Sequence, residues 1–85
     1  MAVVILSHTV ADYNTWKPIY DADAARRADA GFKELICGQD APNSVYIVYE
    51  TDTPEIIQQM FADPNLVELM KEAGVTSPPK VVIVK

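Results

Sequence analysis

One histidine, one tryptophan, two tyrosines and two adjacent arginines fall within SHTVADYNTWKPIYDADAARRADAG, residues 7–31. His8 is the only histidine of the chain. Its ordinary pKa lets an imidazole exchange a proton near neutral pH, so His8 is the candidate general acid–base group. The simpler alternative is an imidazole that hydrogen-bonds a backbone or carboxylate partner. With no second histidine and no converging carboxylate spacing, no metal site is expected.

Tyr13, Trp16 and Tyr20 follow steps of three and four, which places them on one helix face. Such a stripe is ordinarily core. Tyrosine and tryptophan also carry polar tips on apolar bodies, which suits them to line an apolar pocket. Asn14, Trp16 and His8 together supply the kinds of group that stabilise a ligand anion. Arg27 shares the stripe's face, and a buried charge needs a partner. Asp23, four residues earlier, is the simpler partner; a bound carboxylate, phosphate or phenolate is the functional alternative. Arg26 is expected in solvent.

Tyr46 points opposite to Val45 and Ile47 and faces either the pocket or a subunit interface. Cys37 is expected to be a small buried apolar residue rather than a nucleophile. No Ser-His-Asp order, P-loop, GxGxxG or CxxC is present.

These residues need elements to hold them. Residues 2–10 are rich in β-branched side chains and read as a buried strand. Residues 11–30 read as one helix, with Asp12 as N-cap and Gly31 as terminator. Pro18 interrupts its hydrogen bonding, so a kink or an irregular first turn is expected there. Residues 32–39 and 44–50 read as an antiparallel hairpin around Asp40-Ala41-Pro42-Asn43. Thr53-Pro54 opens a second helix, which Asp63-Pro64 should break in two before Gly74 ends it. Residues 80–85 form a final strand. The order βαββαβ implies an α+β, ferredoxin-like fold, with two helical segments on one face of a four-stranded antiparallel sheet.

The 85 residues support a single domain. The size scaling gives roughly 5,000 Å² of folded surface and a thin core. Domains this small often gain stability by oligomerising, and a 49% apolar composition exceeds what so little interior can bury. Twelve acidic residues against seven basic ones give a net charge of −5, which argues against nucleic acid and anionic membrane surfaces as partners. One cysteine excludes an internal disulfide. The apolar start, MAVVILSHTV, is too short to span a bilayer and lacks signal-peptide features, so a soluble cytoplasmic protein is expected.

The motif resembles that of small bacterial proteins in the dimeric α+β barrel superfamily, which includes antibiotic-biosynthesis monooxygenases and polyketide cyclases. The matching positions are His8, Asp12, Tyr13, Trp16, Lys17, Pro18, Tyr20, Asp21, Arg27 and Gly31. Ala73, Gly74, Val75, Pro78 and Pro79 match the tail. Relatives often carry a histidine near the position where this chain has Asp23, which removes one acid–base group. The resemblance implies a homodimer whose sheets pack face to face. It also implies a pocket between each sheet and its own helices, lined from the first helix and from inward strand positions.

The implied activity is that of a small-molecule enzyme, a monooxygenase or cyclase that works without a cofactor on an aromatic or polyketide-like compound. His8 would act as acid–base group, Tyr13, Trp16 and Tyr20 as walls, and Arg27 as anchor for an anionic ligand. A non-catalytic dimeric ligand-binding or stress-associated module is the alternative. A dimer with a filled interior and no pocket is a third. Haem breakdown, known in distant relatives of the fold, fits a single histidine and this motif order less well.

Overall fold

The computed structural model describes all 85 residues. Its elements are β1 (Ala2–Thr9), α1 (Tyr13–Ala22), α2 (Ala24–Asp29), β2 (Lys33–Ala41), β3 (Ser44–Thr51), α3 (Ile56–Ala62), α4 (Pro64–Glu72) and β4 (Lys80–Val84). The strands form one antiparallel sheet in the order β2-β3-β1-β4. This is the ferredoxin-like order that βαββαβ implies. The surface area, 5024 Å², matches the scaling expectation, and only 13 residues are buried, so the core is thin.

Strand alternation divides the sheet into two faces. Val4, Leu6, Val45, Ile47 and Tyr49 are buried on the inner face, against Trp16 of α1 and Ile57 of α3. The registers place Ile5, Ile36, Tyr46, Val48, Val82 and Val84 on the outer face. No helix covers that side.

The first helical segment departs from expectation. Pro18 lies inside α1 without breaking it; the break comes at Asp23. Asn14 and Pro18 are both exposed, so water can serve the Asn14 carbonyl that proline leaves unpaired. At the break, the Asp23 N–H donates to the Tyr20 carbonyl at 3.2 Å, a tightened final turn. Asp12 caps the start as expected, accepting from the Asn14 N–H at 3.0 Å. Gly31 ends α2 with φ +84°, where a side chain would be strained.

The second segment breaks where Asp63-Pro64 requires. Asp63 has extended backbone angles and its carboxylate accepts from the Asn65 N–H at 2.9 Å. No helix is long and apolar enough to cross a membrane.

Candidate functional site

Between the inner sheet face and the helices lies an apolar cavity of about 80 Å³. One water needs about 10–15 Å³ of such space, so the interior is not filled. Fifteen of its 18 lining residues are hydrophobic; the others are His8, Asp23 and Arg27. Met60, Phe61, Leu66, Leu69 and Met70 close it from α3 and α4. No three His, Cys, Asp or Glu side chains converge as a metal site would require.

His8, Trp16, Tyr20 and Arg27 all line this cavity. They form a continuous row. The His8 ring meets Trp16 edge-on at 5.6 Å, Trp16 stacks on Tyr20 at 4.7 Å, and the Arg27 guanidinium lies 3.7 Å from the Tyr20 ring centroid. Each aromatic contact adds to area burial, and a guanidinium over a phenol ring is attracted by its π face.

Polar groups stand at two ends of the space. At one, His8 Nδ1 is buried with no hydrogen-bond partner. Burial lowers the imidazole pKa below its ordinary value, against a weaker opposing pull from the Thr9 backbone. His8 is therefore neutral at pH 7, a form that can accept a proton. At the other end, the Tyr20 hydroxyl donates to Glu34 Oε1 at 2.5 Å and lies 2.6 Å from the Tyr49 hydroxyl. Burial, and next the bond to Glu34, hold the Tyr20 pKa far above the usual phenol range. Burial likewise pushes Tyr49 up to about 12. His8 pairs across the sheet with Val45, four residues before Tyr49, so the two ends are roughly 13 Å apart along β3.

Three expected site residues lie elsewhere. Tyr46 is on the outer face, because Val45, Ile47 and Tyr49 occupy the inner one; it does not line the cavity. Asn14 is exposed, two residues and so roughly 200° around the helix from Trp16. Tyr13 packs on Trp16 at 5.7 Å but stops short of the cavity. Tyr13 and Asn14 instead border a polar hollow with Asp12 and with Gln39 to Pro42 at the end of β2.

Both arginines depart from the simpler expectation. Arg26, not Arg27, pairs with Asp23, at 3.2 Å, and it reaches Asp63 of the opposite helical segment at 3.6 Å. Arg27 Nη1 donates to the Tyr20 backbone carbonyl at 2.9 Å. The break at Asp23 leaves the Tyr20 carbonyl open to Arg27, while the Asp23 carboxylate meets Arg26 three residues on.

Cys37 is half-buried, and burial pushes its thiol pKa up, which suits packing better than nucleophilic attack. Glu34 and Tyr49 are the residues the sequence reading missed. Tyr49 shares the face of Val45 and Ile47 by simple strand alternation. Glu34 meets it across the ladder because a bulge between Glu34 and Ile36 shifts the register of β2.

No protein-family model matches the chain, and no curated protein matches it in sequence. Solved structures do match its fold. A Deinococcus radiodurans protein, provisionally described as an antibiotic biosynthesis monooxygenase, superposes with TM-score 0.63 at 17% identity, over 100% of this chain and 91% of that one. A Streptomyces coelicolor monooxygenase in complex with nanaomycin D gives TM-score 0.55 at 19% identity, over 99% and 85%. SnoaB, a cofactor-independent oxygenase from Streptomyces nogalater, gives 0.56 at 19%, over 95% and 89%. The chain thus has the α+β fold of the antibiotic-biosynthesis-monooxygenase-like proteins, the superfamily its N-terminal motif resembles.

Proposed function

We propose that the protein is a small-molecule oxygenase that acts, without a cofactor, on a hydroxylated aromatic or polyketide-like compound. The observation that carries this reading is the unpartnered, buried Nδ1 of a neutral His8 beside an otherwise apolar cavity. Buried polar atoms normally have partners, and the side chain that carries this unpaired one lines an apolar cavity. The fold shared with a cofactor-independent oxygenase and with a monooxygenase in complex with nanaomycin D supports the same reading.

In this reading the ligand's O–H proton passes to the imidazole of His8. The oxyanion that remains is electron-rich enough to transfer an electron to dioxygen, the co-substrate. Trp16 and Tyr20 hold the ring, and the apolar walls keep water from quenching the anion. Methionines on the α3–α4 wall let the cavity widen around a larger ligand.

One observation favours a second reading, a non-catalytic ligand-binding module. No carboxylate orients His8, as one commonly does for a catalytic imidazole. Oxygen uptake with a panel of one- and two-ring phenols separates the two. The oxygenase consumes oxygen with a bound phenol, and His8→Ala stops consumption while retaining binding. A binding module holds the same phenols and leaves oxygen untouched.

The outer sheet face supports a homodimer. Ile36 is 60% exposed, Val84 50% and Tyr46 43%, all on one uncovered apolar surface. An antiparallel sheet can turn one face to water, but that face is then normally polar. A second copy packed sheet to sheet would cover it.

A further inference from the structure

Hydrogen-bond sense along three side chains tells what kind of ligand the cavity takes. An ionised carboxylate has no hydrogen and can only accept. Glu34 is exposed, so its carboxylate meets solvent and accepts the Tyr20 hydroxyl hydrogen at 2.5 Å. A phenol has one hydrogen. The Tyr20 hydrogen is committed to Glu34, so the hydrogen shared with Tyr49 at 2.6 Å must come from Tyr49. The Tyr49 hydrogen is then committed as well. What Tyr49 has left is an oxygen lone pair.

Tyr49 is only 3% exposed to solvent and lines the cavity with Tyr20. Tyr49, Arg27 and Phe32 also border a surface hollow that contains Glu34, so the three-residue chain runs from the cavity wall to solvent. Two cations lie over the Tyr20 ring: Arg27, whose Nη1 is held by a backbone carbonyl, and Lys17, 5.6 Å from the ring centroid and paired with Asp21 of the same hollow. Neither cation hydrogen-bonds the Tyr49 hydroxyl, whose partner is Tyr20.

We infer that Tyr49 presents an acceptor to the cavity, held in that sense by Glu34 through Tyr20, and that the site selects ligands carrying a neutral hydroxyl over the corresponding ethers. The inference rests on the reading of the cavity as a ligand site and narrows it. It favours the neutral phenol or enol as the form that binds. Tyr49 is a specificity-determining residue, and Glu34 is a positioning residue that acts through Tyr20.

The test compares phenol with anisole at pH 7, where phenol, like the tyrosine side chain, is neutral. Both are titrated into the full chain and followed by NMR shifts of the Trp16 indole. Phenol should bind about tenfold tighter than anisole, the worth of one net hydrogen bond. In Tyr49→Phe the ratio should fall to about one with anisole affinity retained. In Glu34→Ala, which keeps the Tyr49 hydroxyl but frees the Tyr20 hydrogen to turn toward it, the ratio should fall severalfold. A preference that survives in Tyr49→Phe is steric and overturns the inference, as does a ratio unchanged in Glu34→Ala. Equal binding of both probes to the unaltered protein overturns it too, while the cavity stands as a ligand site. Failure of both probes to bind removes that site along with it.

Discussion

Arg27 serves the backbone and the ring of one residue, Tyr20, at once: it donates to the Tyr20 carbonyl at 2.9 Å and lies 3.7 Å from the centroid of its ring. The donated bond caps the C-terminal end of α1, where a cation also meets the negative pole of the helix. The arginine therefore has a structural task whether or not an anion binds.

Replacement of that side chain separates the two roles. Arg27→Met keeps most of the apolar stem and removes the cap and the ring contact. It should cost about 1–2 kcal/mol, read as a shift in the urea midpoint. If affinity for an anionic ring compound is the same in the variant, Arg27 anchors the helix only.

His8 should titrate below the ordinary imidazole value of 6.5 in a proton NMR titration of the one imidazole signal. The folded pKa is lowered, so the unfolded chain binds more protons as pH falls through 6.5. Stability is fully present above that value and is lost progressively below it, toward the folded pKa. His8→Gln should flatten this acid limb. A limb unchanged in the variant would assign the loss to the carboxylates instead.

The tyrosine pair sets the alkaline limb. Tyr49 is held up to about 12 and Tyr20 well above the ordinary phenol value of 10. Unfolded phenols lose their protons first, so stability declines as pH rises above 10. Ultraviolet titration should show phenolate absorbance that appears only with unfolding, and Tyr49→Phe should reduce that late step.

A charge on the outer sheet face tests the homodimer. Ile36→Glu should leave the far-ultraviolet spectrum intact and yield a monomer in analytical ultracentrifugation at concentrations where the unaltered chain sediments as a dimer. An unaltered chain that sediments as a monomer throughout would rule the sheet-to-sheet dimer out.

Asp63→Ala removes the carboxylate that caps α4 and pairs with Arg26. Loss of an N-cap costs about 1 kcal/mol. The urea midpoint should fall accordingly, and Arg26→Ala should add little on top, since the exposed ion pair contributes little.

Strand and helix order was readable because each segment carries its own periodicity and punctuation. Asp63-Pro64 broke its helix through local chemistry alone, and the structure keeps that break. The inner face of β3 was harder. Val45, Ile47 and Tyr49 clearly share one side, but the opposite side, with Tyr46 and Val48, is apolar too. Alternation identifies two faces; it does not say which one meets the helices when both are apolar. Alternation therefore leaves Tyr46 open to either the pocket or a subunit interface, and gives Tyr49 no role. Glu34 was invisible for another reason: the bulge beside it adds a residue to one strand only, and no residue type announces it. The pairing of Arg26 with Asp23 was hidden by a helix break at Asp23 that carries neither proline nor glycine. The row His8, Trp16, Tyr20 and Arg27 was legible because helical spacing fixed three of the four.

The position of β1 in the sheet has a consequence for biosynthesis. It is made first among the strands, yet it lies between β3 and β4, the last strand in chain order. While the chain is still leaving the ribosome, Val3 to Ser7 therefore has one flank open, with VVIL among the exposed residues. That interval is when an unpaired, β-branched edge can recruit another nascent chain. Chaperone capture at this stretch should end only once residues 80–84 have cleared the exit tunnel.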